Sequence, residues 1–103
     1  MAQYTGLEQV KAQVENGEAQ LFDVREPHEF EQAALRLAEL VPLSQLQNGV
    51  APPYDTSKLT YLHCAAGVRV HYAAPILEQM GFEKVVPLNE GFSILATSGF
   101  EIR

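Results

Sequence analysis

A strand-like run that leads through a short loop into a helix-like run dominates the middle of the sequence. Residues 59–62 form a mostly apolar, unbroken stretch, which is typical of a buried strand in a parallel sheet. Residues 63–69 form the loop, and apolar side chains then recur at helical spacing at Tyr72, Ile76 and Met80. A strand followed so closely by a helix favours an α/β fold.

The same alternation extends along the rest of the chain. Residues 20–24 and 84–88 are also strand-like, and helix-like runs lie between the predicted strands. We therefore predict an α/β fold with a mostly parallel sheet. A chain of 103 residues can bury one core, so we expect a single domain over residues 1–103.

The loop contains Cys64, the only cysteine in the chain, between a strand end and a helix start. Unpaired backbone N–H groups at such a point favour an anion, so we expect them to favour the thiolate. The small residues Ala65, Ala66 and Gly67 let these amides approach the sulfur, and Gly67 can adopt a positive φ. Arg69 adds a fixed positive charge.

A second candidate residue, Asp23, ends another predicted strand. In open parallel sheets, ligands bind beyond the carboxyl ends of the strands. Asp23 and Cys64 each lie at the carboxyl end of a predicted strand, so they should lie at the same edge of the sheet. We expect Asp23 to support the loop in one of two ways. It accepts hydrogen bonds from loop amides, or it pairs with Arg25 or Arg69.

Other polar residues near these strand ends have structural interpretations. For Arg25, an ion pair with Glu26 or Glu29 is favoured over substrate contact. His63 and Cys64 are adjacent in a predicted strand, so their side chains should point to opposite faces. We therefore interpret His63 as a packed or supporting residue. No His and Cys cluster has the spacing of a metal site, and we expect no metal and no cofactor.

The loop residues Cys64, Gly67 and Arg69 fit the pattern Cys-x-x-Gly-x-Arg, which resembles the active-site loop of the rhodanese family. Residues 23–30 and 77–82 are similar to two further signatures of that family. The resemblance implies a rhodanese-like fold, with about five strands in the sheet and helices on both faces.

The resemblance also implies a sulfurtransferase that works through a persulfide. Cys64 is the implied nucleophile, which takes a sulfur atom from a small anionic donor such as thiosulfate. The acceptor is cyanide or a thiol, which can belong to a partner protein. Arg69 holds the anionic part of the donor. The implied substrate-binding residues are Ala65, Ala66, Gly67, Val68 and Arg69, with Asp23 and Arg25 in support.

Two alternative functions remain open. One is a non-turnover sulfur carrier or thiol sensor that acts with a partner protein. The less favoured one is a cysteine phosphatase or arsenate reductase, since related folds often place five residues between His-Cys and an arginine. Only four residues separate Cys64 from Arg69 here, and a shorter loop should enclose one sulfur rather than a tetrahedral oxyanion.

Charge and hydropathy exclude other classes of partner. The net charge of −6 argues against a general nucleic-acid binder, which needs a basic surface. No apolar run reaches 18 residues, so we expect no membrane span. Residues 1–5 have no basic or apolar signal region, and we expect a cytoplasmic location.

Two interpretations of the segment after Pro27 conflict. The helical spacing of Phe30, Ala34 and Leu37 predicts a helix that continues to about residue 38. The family resemblance instead implies that the helix ends near residue 32 and that a short strand follows at residues 40–41. We favour the second interpretation because this strand is needed to complete the sheet.

Overall fold

The computed structural model describes residues 6–103, in which five helices and four strands alternate. The elements in chain order are α1 (Leu7–Glu15), β1 (Ala19–Asp23), α2 (Pro27–Gln32), β2 (Ala38–Leu40), α3 (Leu43–Gln47), β3 (Leu59–His63), α4 (Val70–Gln79), β4 (Val85–Pro87) and α5 (Phe92–Thr97). The longest of these helices, α4, has ten residues, which is too short for a membrane span.

The four strands form one parallel sheet in the order β2-β1-β3-β4. Each pair of strands that follow one another in the chain is connected through a helix, as parallel pairing requires. Asp23 at the end of β1 lies opposite both Leu40 of β2 and His63 of β3. The carboxyl ends of these three strands therefore form one edge, and the predicted α/β fold with a parallel sheet is confirmed.

The prediction of about five strands is wrong for the described residues 6–103. The segment after α5 returns to the domain, but it makes a single antiparallel bridge between Leu35 and Ile102. One bridge builds no ladder, so this segment does not extend the sheet. The sheet has four strands.

Side chains that alternate along β1 and β3 build a core on each face of the sheet. Phe22 and Leu62 pack with side chains of α3 and α4 on one face. Their neighbours Leu21 and Tyr61 pack with side chains of α1 and α5 on the other face. Helices therefore cover both faces, as predicted.

The segment after Pro27 follows the interpretation from the family resemblance. Helix α2 ends at Gln32, and Ala33 is extended, with φ −165° and ψ 137°. The side chain of Arg25 donates a hydrogen bond to the carbonyl oxygen of Ala33 at 2.7 Å. In a longer helix this carbonyl oxygen would accept a hydrogen bond from within the helix. The helix end that the apolar spacing up to Leu37 predicted is therefore wrong. The strand lies at Ala38–Leu40, close to its predicted position.

We predict that Leu77→Ala lowers the free energy of unfolding by about 2–5 kcal/mol, because it leaves a cavity in the core. Leu77 is fully buried under the sheet, whereas Ile94 is about half exposed on α5. The control Ile94→Ala should change the stability by no more than about 0.5 kcal/mol. Urea unfolding measures both, and equal losses for the two variants would contradict the assigned core.

Candidate active site

Residues 64–69, here called the Cys64 loop, pack backbone against backbone with the segment that leads from β4 to α5. Gly67 has a φ of +77°, which is the positive φ that the sequence analysis considered for it. A Cβ atom at Gly67 would lie 2.2 Å from the carbonyl oxygen of Asn89, and one at Gly91 would lie 2.1 Å from that of Ala65. No side chain fits at either contact, so both glycines allow the two segments to approach each other.

Five consecutive backbone N–H groups of the loop, those of residues 65–69, donate to no backbone carbonyl within residues 6–103. By contrast, some carbonyl groups of the loop accept hydrogen bonds. Phe92 N–H donates to the oxygen of Ala65 at 3.2 Å, and His71 N–H donates to that of Val68 at 3.1 Å. A loop whose successive backbone donors stay unpaired is suited to an anion.

Cys64 lies beneath this loop at the end of β3. It is 1% exposed and belongs to the apolar cluster that contains Val70 and Ala73 of α4. The loop residues Ala65 and Ala66 that follow it are exposed. The Cys64 side chain is therefore almost fully shielded from solvent, whereas the loop above it is accessible.

Arg69 pairs with Glu29 of α2 through two hydrogen bonds. Its Nη1 donates to Oε1 at 2.7 Å, and its Nη2 donates to Oε2 at 2.9 Å. Oε1 also accepts the backbone N–H of Glu26 at 2.9 Å. The sequence interpretation considered Glu29 only as a partner of Arg25, and thus missed its contact with Arg69.

The charges around this pair reinforce each other. Chiefly through its hydrogen bonds to Arg69, the pKa of Glu29 is lowered to about 2. The pKa of Arg69 is raised, first by the hydrogen bonds to Glu29 and further by the negative charges of Cys64 and Glu26. The guanidinium of Arg69 therefore already has a fixed counter-ion.

Asp23 pairs with Arg25, which is one of the pairings predicted for it. Nε of Arg25 lies 3.0 Å from both carboxylate oxygens, and Nη2 donates to Oδ2 at 2.7 Å. Both residues are buried. The interpretation of Arg25 as the partner of Glu26 or Glu29 is wrong, because Asp23 presents its carboxylate inside the fold at the end of β1.

The buried pair supports the Cys64 loop indirectly. Within residues 6–103, Asp23 accepts no hydrogen bond from the loop amides. Instead, the guanidinium of Arg25 lies 4.5 Å from the ring centroid of Phe92, whose N–H binds Ala65. The sequence analysis missed Phe92, and the only available signal was its position directly after Gly91.

His63 is fully buried beside this pair, as expected for a packed residue. Its Nε2 lies 3.5 Å from Oδ2 of Asp23, and its ring stacks on Phe92 at 6.3 Å between centroids. Neither ring nitrogen has a hydrogen-bond partner in the described part of the chain. Burial lowers the pKa of His63 against the opposing effect of Asp23, so the imidazole is neutral at pH 7.

We predict that Gly67→Ala lowers the free energy of unfolding by more than backbone strain alone, because the new Cβ would collide with the backbone at Asn89. The matched control is Gly17→Ala. Gly17 has a similar φ of +80°, but a Cβ atom there would meet no atoms within 4 Å, so it bears only the backbone strain of about 1–2 kcal/mol. Urea unfolding distinguishes them, and equal losses of stability in the two variants would contradict the close loop contact.

We predict that Glu29→Gln lowers the free energy of unfolding at pH 7 by about 1 kcal/mol, since the pair is partly exposed. The pKa of Glu29 is about 2 in the folded protein, against an ordinary value of 4.5, so the pair's contribution is complete above pH 4.5. It should be lost progressively as the pH falls towards 2. Glu31→Gln, an exposed change on the same helix, is the control. A stability difference that stays constant between pH 7 and pH 3 would contradict the assignment.

Comparison with known sequences identifies relatives of the whole fold. A family model for the rhodanese-like domain matches residues 6–96. The protein YqhL of Bacillus subtilis (strain 168) is 42% identical over 74 residues, which cover 72% of this chain and 58% of YqhL. The chloroplastic Rhodanese-like/PpiC domain-containing protein 12 of Arabidopsis thaliana is 40% identical over 79 residues, which cover 72% of this chain and 26% of that protein. The chain thus spans only part of both curated relatives.

Solved structures show the same fold. A rhodanese-like domain from Anabaena sp. superposes with a TM-score of 0.81 at 21% identity, over 100% of this chain and 80% of that one. The human single-domain sulfurtransferase TSTD1 superposes with a TM-score of 0.73 at 19% identity, over 84% of this chain and 88% of that one. CoADR-RHD of Bacillus anthracis superposes with a TM-score of 0.73 at 32% identity, over 88% of this chain and 16% of that one. With the family model matched over nearly all of its length, the chain belongs to the rhodanese-like domain family.

Proposed function

We propose that this protein transfers a sulfur atom from an anionic donor to a thiophilic acceptor through a persulfide on Cys64. The observation that carries the proposal is the row of five unpaired N–H groups at residues 65–69, directly after the only thiol in the chain. Membership of a family that includes sulfurtransferases supports it.

In the loading step, the thiolate of Cys64 attacks the outer sulfur of the donor. The sulfur–sulfur bond of the donor breaks, and its remainder leaves with the bonding electron pair, as sulfite does from thiosulfate. The outer sulfur stays on Cys64 as a persulfide. The loop amides stabilise the negative charge on the terminal sulfur, as an oxyanion hole does for oxygen.

In the unloading step, a thiophilic acceptor attacks the terminal sulfur, and Cys64 leaves as a thiolate. Because the chain has no second cysteine, the persulfide cannot be resolved as a disulfide within the chain. The sulfur therefore passes to an external acceptor, such as cyanide or a thiol. The two half-reactions share one covalent intermediate, so the kinetics should be ping-pong.

The size of the loop favours sulfur over phosphate as cargo. Only four residues separate Cys64 from Arg69, and Cys64 is 1% exposed. A tetrahedral phosphate needs space for three oxygens around the attacked atom, whereas a sulfane sulfur needs space for one atom. Phosphatase chemistry at Cys64 is disfavoured for this reason.

We predict that brief treatment with excess thiosulfate, or separately with an alkyl persulfide, adds the mass of one sulfur atom to the intact protein. A reductant should remove it, and peptide mapping should place it on Cys64. The control Cys64→Ala should gain no mass and form no thiocyanate from cyanide. Full thiocyanate formation by a folded Cys64→Ala protein would contradict the proposed function.

A further inference from the structure

We propose that Glu29 sets the donor preference of this protein by neutralising Arg69, so that small-molecule persulfides are favoured over doubly charged thiosulfate as donors. This inference rests on the sulfur transfer proposed above. It assigns Glu29 the role of a residue that determines specificity through Arg69, without contacting the reacting atoms itself.

The Glu29 carboxylate is fixed in place. Two hydrogen bonds from Arg69 and one from the N–H of Glu26 hold its two oxygens, at distances of 2.7 to 2.9 Å. Paired, two-point contacts between guanidinium and carboxylate are among the strongest hydrogen bonds in proteins. The side chains of Arg69 and Glu29 are only 31% and 25% exposed, which limits screening by solvent. A donor would therefore have to compete with a preformed partner for the guanidinium.

The charges around the Cys64 loop disfavour the approach of a doubly charged donor. Arg69 lies in the same loop as Cys64, but its charge is offset by the paired Glu29, and Glu26, whose N–H binds the same carboxylate, is negative too. The other arginine of the site, Arg25, is already paired with the buried Asp23. Thiosulfate brings two negative charges to these surroundings, and a persulfide brings at most one.

The reaction with a persulfide is balanced without a further reagent. The thiolate of Cys64 attacks the outer sulfur of R–S–S⁻, the sulfur–sulfur bond breaks, and R–S⁻ leaves with the electron pair. Cys64 becomes a persulfide anion, so charge and atoms are conserved.

The test compares the rates at which two donors load Cys64, measured by intact mass with donor in excess over protein. The donors are thiosulfate and 2-hydroxyethyl persulfide, and the proteins are the wild type, Glu29→Gln and Glu31→Gln. Glu29→Gln keeps a side chain of similar shape but removes the charge that offsets Arg69. Glu31→Gln removes the same charge from an exposed position on the same helix.

We expect Glu29→Gln to accelerate loading by thiosulfate about tenfold, because one unit charge near a dianion is worth at least that much in a partly exposed site. Loading by the persulfide should rise by much less. Glu31→Gln should change neither rate by more than about twofold. The gain of Glu29→Gln with thiosulfate should shrink as salt is added, which a purely structural effect would not do.

Several results would overturn the inference. One is a folded Glu29→Gln protein whose loading by thiosulfate is unchanged or slower, and another is equal acceleration with both donors. The wild type gives a test that needs no variant. Its loading by thiosulfate should rise with ionic strength as repulsion is screened, and a fall would mean that Arg69 is not neutralised. Loading of the wild type by neither donor would overturn the proposed function itself, whereas loading with an unchanged donor ratio overturns only the role of Glu29.

Discussion

The close contact between two stretches of backbone determines the shape of the site. The Cys64 loop and the segment before α5 touch where Gly67 meets Asn89 and where Gly91 meets Ala65, and neither contact leaves space for a Cβ atom. At this contact Phe92 N–H donates to the carbonyl oxygen of Ala65, whereas the N–H groups of residues 65–69 donate to no backbone carbonyl of the described residues. An anion site made in this way consists of backbone N–H groups and needs no charged side chain. It needs only a loop whose orientation is fixed by its contacts.

The layer beneath the loop gives this arrangement rigidity. The buried Asp23–Arg25 pair lies at the carboxyl end of β1, and the guanidinium of Arg25 packs on the Phe92 ring while it also holds the carbonyl oxygen of Ala33. One side chain thus ends α2 and supports the start of α5. Buried ion pairs contribute little net stability, and their better attested effect is to specify a single arrangement. Burial lowers the pKa of His63, so its ring adds no positive charge beside the pair.

The parts of this structure that depend on local pattern were predictable from the sequence. Alternating apolar runs indicated the parallel sheet, and the small residues around Cys64 indicated a loop with a positive φ at Gly67, which the structure has. The partners of the arginines were not predictable in the same way. Arg25 has acidic residues close by on both sides in the sequence, and only the fold shows that the buried strand end, rather than α2, supplies its counter-ion. The partner of Arg69 lies 40 residues away, a distance that no local pattern encodes.

Under the proposed function, these pairings bear on how an acidic chain with a net charge of −6 would hold a sulfur anion. Each arginine of the site is matched by a carboxylate, Arg25 by Asp23 and Arg69 by Glu29, so neither pair attracts anions from a distance. Under the proposed function, the field that stabilises a persulfide anion then comes from backbone dipoles, which act only over the length of the loop. Such a site would stabilise a charge on its own sulfur without concentrating free dianions from solution, because the dipoles act at short range and both arginines are neutralised.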